Sequence, residues 1–220
     1  TQPCSSAASD VYKRQTKQLE TLPYYHLFGQ KSHPPSIDLA EKLLNVAPDT
    51  VSKVFFNNSG SEANDTAIKI IWYYNNARGR HQKKKIIGRI NGYHGITLAS
   101  SSLTGRSLNH AGFDVPLEKF IHTNNPHYYR FGEDGETEED FATRMANDLD
   151  QLIIDEGPET VAAFFAEPIM GAGGVITPPK TYFEKIQAVL KKHDVLFVAD
   201  EVICGFCRTC LLYTSPSPRD

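Results

Sequence analysis

The chain carries no marked excess of charge: 23 Lys and Arg against 26 Asp and Glu leave a formal net charge of -3. That balance gives no electrostatic reason to expect a nucleic acid partner. No apolar run approaches the length of a membrane span, and the first residues show no basic, apolar and cleavage-site series. We therefore expect no membrane partner and a cytoplasmic protein. A G-x-G-x-x-G run with an acidic residue about 20 positions later is also missing, which argues against a dinucleotide site. Cysteine is sparse. Three of the four, Cys204, Cys207 and Cys210, form a C-x2-C-x2-C run, but a tetrahedral site needs a fourth ligand and Cys4 lies far off in a Ser-rich stretch. Unpaired thiols and no bound metal are expected. A small-molecule partner is the class that remains.

At 220 residues the chain has room for one sizeable domain. Residues 1–15 have low-complexity composition and no periodic apolar face, and 210–220 end in Pro-Ser repeats. Both are read as disordered or foreign tails, with no packed structure expected. Residues 16–50 are expected to form an N-terminal segment containing a helix, and 51–209 part of a larger domain. Apolar spacing predicts helices over 36–46 (Ile37, Ala40, Leu43 and Leu44 on one face), 61–78 (Ala63, Ala67, Ile70, Ile71, Tyr74), 138–156 (Phe141, Met145, Leu149, Leu152, Ile153) and 180–192 (Phe183, Ile186, Val189, Leu190). Strands are predicted over 53–57, 85–90, 120–122, 161–166 and 195–199, the last two as buried strands. Lys83-Lys84-Lys85 reads as a solvated connection. Apolar strands alternating with amphipathic helices imply an α/β fold with a mostly parallel sheet covered on both faces.

Four segments stand at predicted strand ends or helix starts, where ligands of open α/β sheets bind. Ser59-Gly60-Ser61-Glu62-Ala63-Asn64 opens a helix, so its unpaired amides and the helix dipole suit a phosphate. By itself this segment is equally explained by a strand-to-helix turn with Ser59 as N-cap. Asn91-Gly92-Tyr93-His94-Gly95 puts an aromatic ring among residues that make a poor core strand; the imidazole of His94 is more simply structural than catalytic. Ala166-Glu167-Pro168 and Asp200-Glu201-Val202 add carboxylates. Asp200 at the mouth of a buried strand is costly unless a cation meets it. Asp200 and Glu201 point to opposite faces and so do not form a proton-sharing pair. A phosphate cradle at Gly60 and Ser61, an aromatic platform at Tyr93, an apolar contact at Val202 and a carboxylate for a ring nitrogen describe pyridoxal 5'-phosphate.

Together these segments, over residues 20–209, resemble the class III aminotransferases, nearest the branch that moves an amino group from an ω-amino acid or amine to pyruvate. The resemblance implies a three-layer, fold-type I large domain with pyridoxal phosphate as cofactor, amine and 2-oxo acid substrates, and a homodimer with active sites at the subunit interface. It also implies that Gly60 and Ser61 contact the phosphate, Tyr93 stacks on the ring, Asp200 pairs with the ring nitrogen, Val202 packs the far face and Glu167 lines the pocket without transferring protons. Leu22-Pro23-Tyr24-Tyr25-His26 resembles the family's approach to the substrate pocket, making Tyr24 and Tyr25 candidate substrate contacts.

Two departures qualify this. The family's Schiff-base lysine has no counterpart, since no lysine follows Lys192, and Cys207 and Cys210 stand where the family has glycine. The chain is thus expected to be a fragment with an incomplete sheet, poorly soluble and unable to transaminate alone. Two other readings stay open: an aminomutase or racemase of the same family, and a noncatalytic module binding phosphate or nucleotide at Ser59–Asn64.

Overall fold

The computed structural model describes residues 6–209, which fall into two compact units, the first ending at Phe55 and the second beginning at Phe56. The first unit holds helices α1 (Ser6–Thr21) and α2 (Pro34–Val46). No regular structure was expected for residues 6–15, yet they belong to α1; from Asp10 to Thr21 its side chains are exposed, so no apolar stripe was there to be read. Pro34 fits the start of α2, where a missing N–H costs nothing. The imidazole Nδ1 of His33 accepts the amide of Ser36 at 3.2 Å and caps that helix. On its predicted face Ala40, Leu43 and Leu44 are half-buried while Ile37 is exposed. Tyr24 and Tyr25 lie between the two helices, 87% and 46% exposed, with Tyr25 stacked on His26 at 4.8 Å.

The second unit contains, in order, α3 (Gly60–Ala77), β1 (Lys85–Arg89), α4 (Leu98–Leu103), α5 (Ser107–His110), β2 (Phe120–Thr123), α6 (Tyr128–Phe131), α7 (Glu138–Glu156), β3 (Val161–Ala166), α8 (Tyr182–Lys192) and β4 (Leu196–Ala199). The strands form one parallel sheet in the order β2-β1-β3-β4. Every residue of β3 is fully buried, which is why its sequence VAAFFA is apolar throughout rather than alternating. Side chains still divide between the faces. Ile87 and Phe164 meet Phe141, Met145, Leu149 and Ile153 of α7 and Ile186 and Leu190 of α8, whereas Ile86, Ala163 and Phe165 meet Ile68 and Ile71 of α3 and Leu103 of α4. This is the two-face covering expected of the α/β class.

Several sequence expectations need correction. Residues 53–57 are not a strand: among the described residues they join no ladder, and Phe55 is 69% exposed. The inward face of α3 is Asn64, Ile68, Ile71 and Asn75, with Ile70 and Tyr74 exposed. Apolar periodicity misread it because two of its four buried positions are asparagines whose amides are hydrogen-bonded. The strand expected over 195–199 starts at Leu196 and is only half-buried, since β4 is an edge of the described sheet. Helix α8 starts at Tyr182 rather than 180.

The lysine run is not a solvated connection. Lys83 is 6% exposed; its Nζ donates to the carbonyls of Pro158 at 3.2 Å and His193 at 3.1 Å, and burial pulls its pKa below the ordinary lysine value. The amides of Lys84 and Lys85 both donate to Thr160 O, which ties the run to the start of β3.

Because Phe164 has no exposed surface and packs against α7 and α8, Phe164→Ala is expected to lower stability by about 3–5 kcal/mol in urea unfolding. Asn147→Ala, on the exposed side of α7, should change it by less than about 0.5 kcal/mol. Equal effects would contradict this assignment of the core.

Candidate active site

The strand order sets the site. From β1 the chain moves outward to β2, then returns across the sheet to β3, so the direction of winding reverses between β1 and β3. Open α/β sheets bind ligands beyond the carboxyl ends of the strands at such a reversal. Here a cleft of about 250 Å³ is lined by Gly60, Ser61, Tyr93, Glu167, Asp200 and Val202 among others. All six residues assigned to the cofactor from sequence are therefore brought together.

The N-terminus of α3 forms one wall. Ser59 caps it, its Oγ accepting the Glu62 amide at 3.2 Å, while Glu62 accepts the Asn58 amide at 2.9 Å. The first bond inside the helix runs from Ala63 N–H to Ser59 O. The amides of Gly60 and Ser61 precede it and are directed out of the helix end, as an anion site requires. The capping and ligand readings of this segment are thus compatible. Ser61 Oγ accepts the Ile96 amide at 3.1 Å, which leaves the hydroxyl hydrogen to donate elsewhere. A side chain on Gly60 would stand 3.1 Å from Val202 Cγ2. Gly95, at φ +134°, lies where any Cβ would collide with the Ser61 and Ser100 hydroxyls. These two glycines keep the cradle open.

Asp200, directly after β4, is 8% exposed. Its Oδ2 accepts from His94 Nδ1 at 2.8 Å and Asn64 Nδ2 at 3.0 Å, and its Oδ1 from the Val202 amide at 3.3 Å. Burial pushes the Asp200 carboxyl up, but the hydrogen bond and field of His94, then Asn64 and Val202, prevail and hold it below its ordinary value of 3.8. His94 is itself fixed: its amide donates to Thr104 Oγ1 at 2.9 Å and its carbonyl accepts from Asn64 at 2.7 Å. Its Nε2 is buried without a hydrogen-bond partner. His94 thus has a structural task, holding the Asp200 carboxylate, and it also lines the cleft.

Tyr93 is half-buried at the β1 side of the cleft. Its amide donates to Glu167 Oε1 at 3.0 Å, and Glu167 Oε2 accepts the Gly171 amide at 2.9 Å. Val202 is 73% exposed in the turn after β4. Asn64 and Arg89 were missed from sequence. Asn64 sits one turn into an amphipathic pattern and betrays itself only as a polar residue on the inward face; Arg89, inside the strand predicted over 85–90, was given no role. Cys204 is buried and Cys207 exposed, Cys4 and Cys210 lie outside the described residues, and no cluster of metal-ligating side chains occurs among those described.

The ionised Asp200 has a sign-definite effect on stability. Its folded pKa is depressed, so its contribution is present above 3.8 and is lost as the pH falls through the folded value. Asp200→Asn should therefore cost stability at neutral pH and lose less of what remains than the unsubstituted protein on acidification below about pH 4. Parallel acid-melting profiles would contradict it.

Comparison with known proteins shows the family. The family model for aminotransferase class-III matches residues 7–217, running into both segments set apart from the sequence. Gamma aminobutyrate transaminase 3, chloroplastic, from Solanum lycopersicum is 60% identical over 194 residues, covering 88% of this chain and 37% of that protein. Vanillin aminotransferase from Capsicum frutescens is 58% identical over 200 residues, covering 90% and 44%. An omega transaminase from Pseudomonas jessenii in complex with PMP superposes with a TM-score of 0.91 at 60% identity, over 94% of this chain and 46% of that one. The chain thus spans less than half the length of these relatives. With the match covering most of its residues, the chain belongs to the class-III aminotransferases.

Proposed function

We propose that the chain is the cofactor-binding portion of a pyridoxal phosphate-dependent aminotransferase that moves an amino group from an amine or ω-amino acid to pyruvate or another 2-oxo acid. The observation that carries this is the buried Asp200, held ionised by His94 and Asn64 at the base of a cleft whose other wall is a helix N-terminus. An ionised, nearly inaccessible carboxylate fits a cationic ring nitrogen, and the Gly60 and Ser61 amides fit a phosphate. The residues present therefore suit the cofactor. When bound, pyridoxal phosphate supplies an electron sink for the carbon that carries the amino group.

This chain's own residues have defined tasks in that reading. Asp200 holds a proton at the ring nitrogen, because a carboxylate kept below its ordinary pKa favours a cation beside it. His94 and Asn64 fix the carboxylate's orientation, and Tyr93 and Val202 would pack against the ring. Ser61 and Gly60 anchor the phosphate. Tyr24 and Tyr25 are proposed as substrate contacts from the motif resemblance, and the complete protein as a homodimer. The large exposure of Tyr24 and Phe28, 87% and 83%, fits a surface that a second subunit covers.

Pyridoxamine phosphate is expected to raise the melting temperature of a protein of full family length carrying this segment, whereas nucleotide should not. A charge-assisted hydrogen bond contributes about 1.5–3 kcal/mol, so Asp200→Ala should weaken pyridoxamine phosphate binding by about 10–100-fold. Tyr93→Ala should weaken it by about tenfold through loss of stacking. Unchanged affinity in both variants, measured by calorimetric titration, would sink the proposal.

A further inference from the structure

Arg89 and Glu167 form a reciprocal tie across the winding reversal. Arg89 ends β1 and is wholly buried, its guanidinium 6.0 Å from the Tyr182 ring and 5.9 Å from the Phe183 ring. Its Nη2 donates to the main-chain carbonyl of Glu167, the first residue beyond β3. In return, the Glu167 side chain, 5% exposed, reaches to the loop that follows β1 and accepts the Tyr93 amide, while its second oxygen accepts the amide of Gly171.

The neighbours of Tyr93 are held differently. Asn91 N–H donates to Gly105 O, Gly92 N–H to Arg89 O and His94 N–H to Thr104 Oγ1. All three acceptors lie in β1 or within the chain leading from it to β2. The amide of Tyr93 alone in this run is taken by a group beyond β3. Gly171, in turn, begins the tight turn closed by Gly174 and Val175 donating to Gly171 O. One buried carboxylate thus ties together two loops that leave neighbouring strands.

The side-chain type follows from this arrangement. Two amides converge on the two oxygens, and only a carboxylate accepts at both; glutamine would turn its NH2 group toward one of the N–H donors. Among the described ion pairs none involves Glu167, and two amides meet its oxygens. We infer that Glu167 is a positioning residue that sets the Tyr93 platform and the Gly171 turn, with Arg89 fixing the main chain from which it reaches. This rests on the reading of Tyr93 as the cofactor's aromatic platform, and it gives Glu167 a task distinct from proton transfer.

The test is hydrogen exchange of the cofactor-free, full-length protein, read by residue-resolved mass spectrometry. In Glu167→Gln the amide of Tyr93 or Gly171, whichever meets the NH2 group, should exchange at least about tenfold faster, while the β3 amides of 161–165 keep their rates. Pyridoxamine phosphate affinity should fall by about tenfold in the same variant. If Glu167→Gln fails to fold, Glu167→Asp keeps the charge but shortens the reach, and the same localised acceleration is expected. Unchanged exchange at both amides overturns the inference. So does acceleration spread evenly through β3, which would make Glu167 a general stabiliser of the fold. Failure of the unsubstituted protein to bind pyridoxamine phosphate would instead overturn the functional reading, leaving the exchange result interpretable.

Discussion

The site depends on keeping one carboxylate ionised where water barely reaches. Asp200 leaves the end of β4 at 8% exposure, where burial works against its charged form. Three donors from separate parts of the chain counter that: His94 beyond β1, Asn64 on α3 and the Val202 amide. Two of these donors are in turn held by other groups. Thr104 fixes the main chain of His94, and Asn64 spends its second amide hydrogen on the His94 carbonyl. The helix whose N-terminus faces the cleft therefore also orients the carboxylate, through Asn64.

Parallel strands supply that rigidity. With β1 and β3 at the middle of the described sheet and helices on both faces, the segments leaving their carboxyl ends start from fixed positions. The cleft appears where the winding reverses, and the loops from β1 and β3 are bound to each other there through Glu167 and Arg89. The site is built from the N-terminus of α3 and from loop residues at strand ends, all held on an apolar scaffold.

Much of this was legible in the sequence for definite reasons. The run at 161–166 announced a doubly covered strand because burial on both faces demands apolar residues at every position, and the Phe141 to Ile153 stripe announced α7 because only one of its faces is buried. Of the six cleft residues, Gly60, Ser61, Tyr93, Asp200 and Val202 were readable together as a phosphate cradle, an aromatic platform, a carboxylate and an apolar contact, whereas Glu167 came from the resemblance to the class III aminotransferases. What escaped was polar and inward-facing. Asn64 and Asn75 displaced the apparent apolar face of α3, and buried Lys83 passed for a surface charge because carbonyl partners far along the chain leave no local trace. Residues 53–57 carry strand-like composition but have no ladder partner among the described residues. Composition reports what a segment suits, whereas pairing depends on what lies beside it.

The central claim is that Asp200 faces a protonated ring nitrogen, and 15N chemical shifts of ring-labelled pyridoxamine phosphate bound to the full-length protein test it most directly. The account predicts a protonated pyridine nitrogen in the unsubstituted protein and an unprotonated one in Asp200→Asn at neutral pH. The same nitrogen shift in both proteins would contradict it.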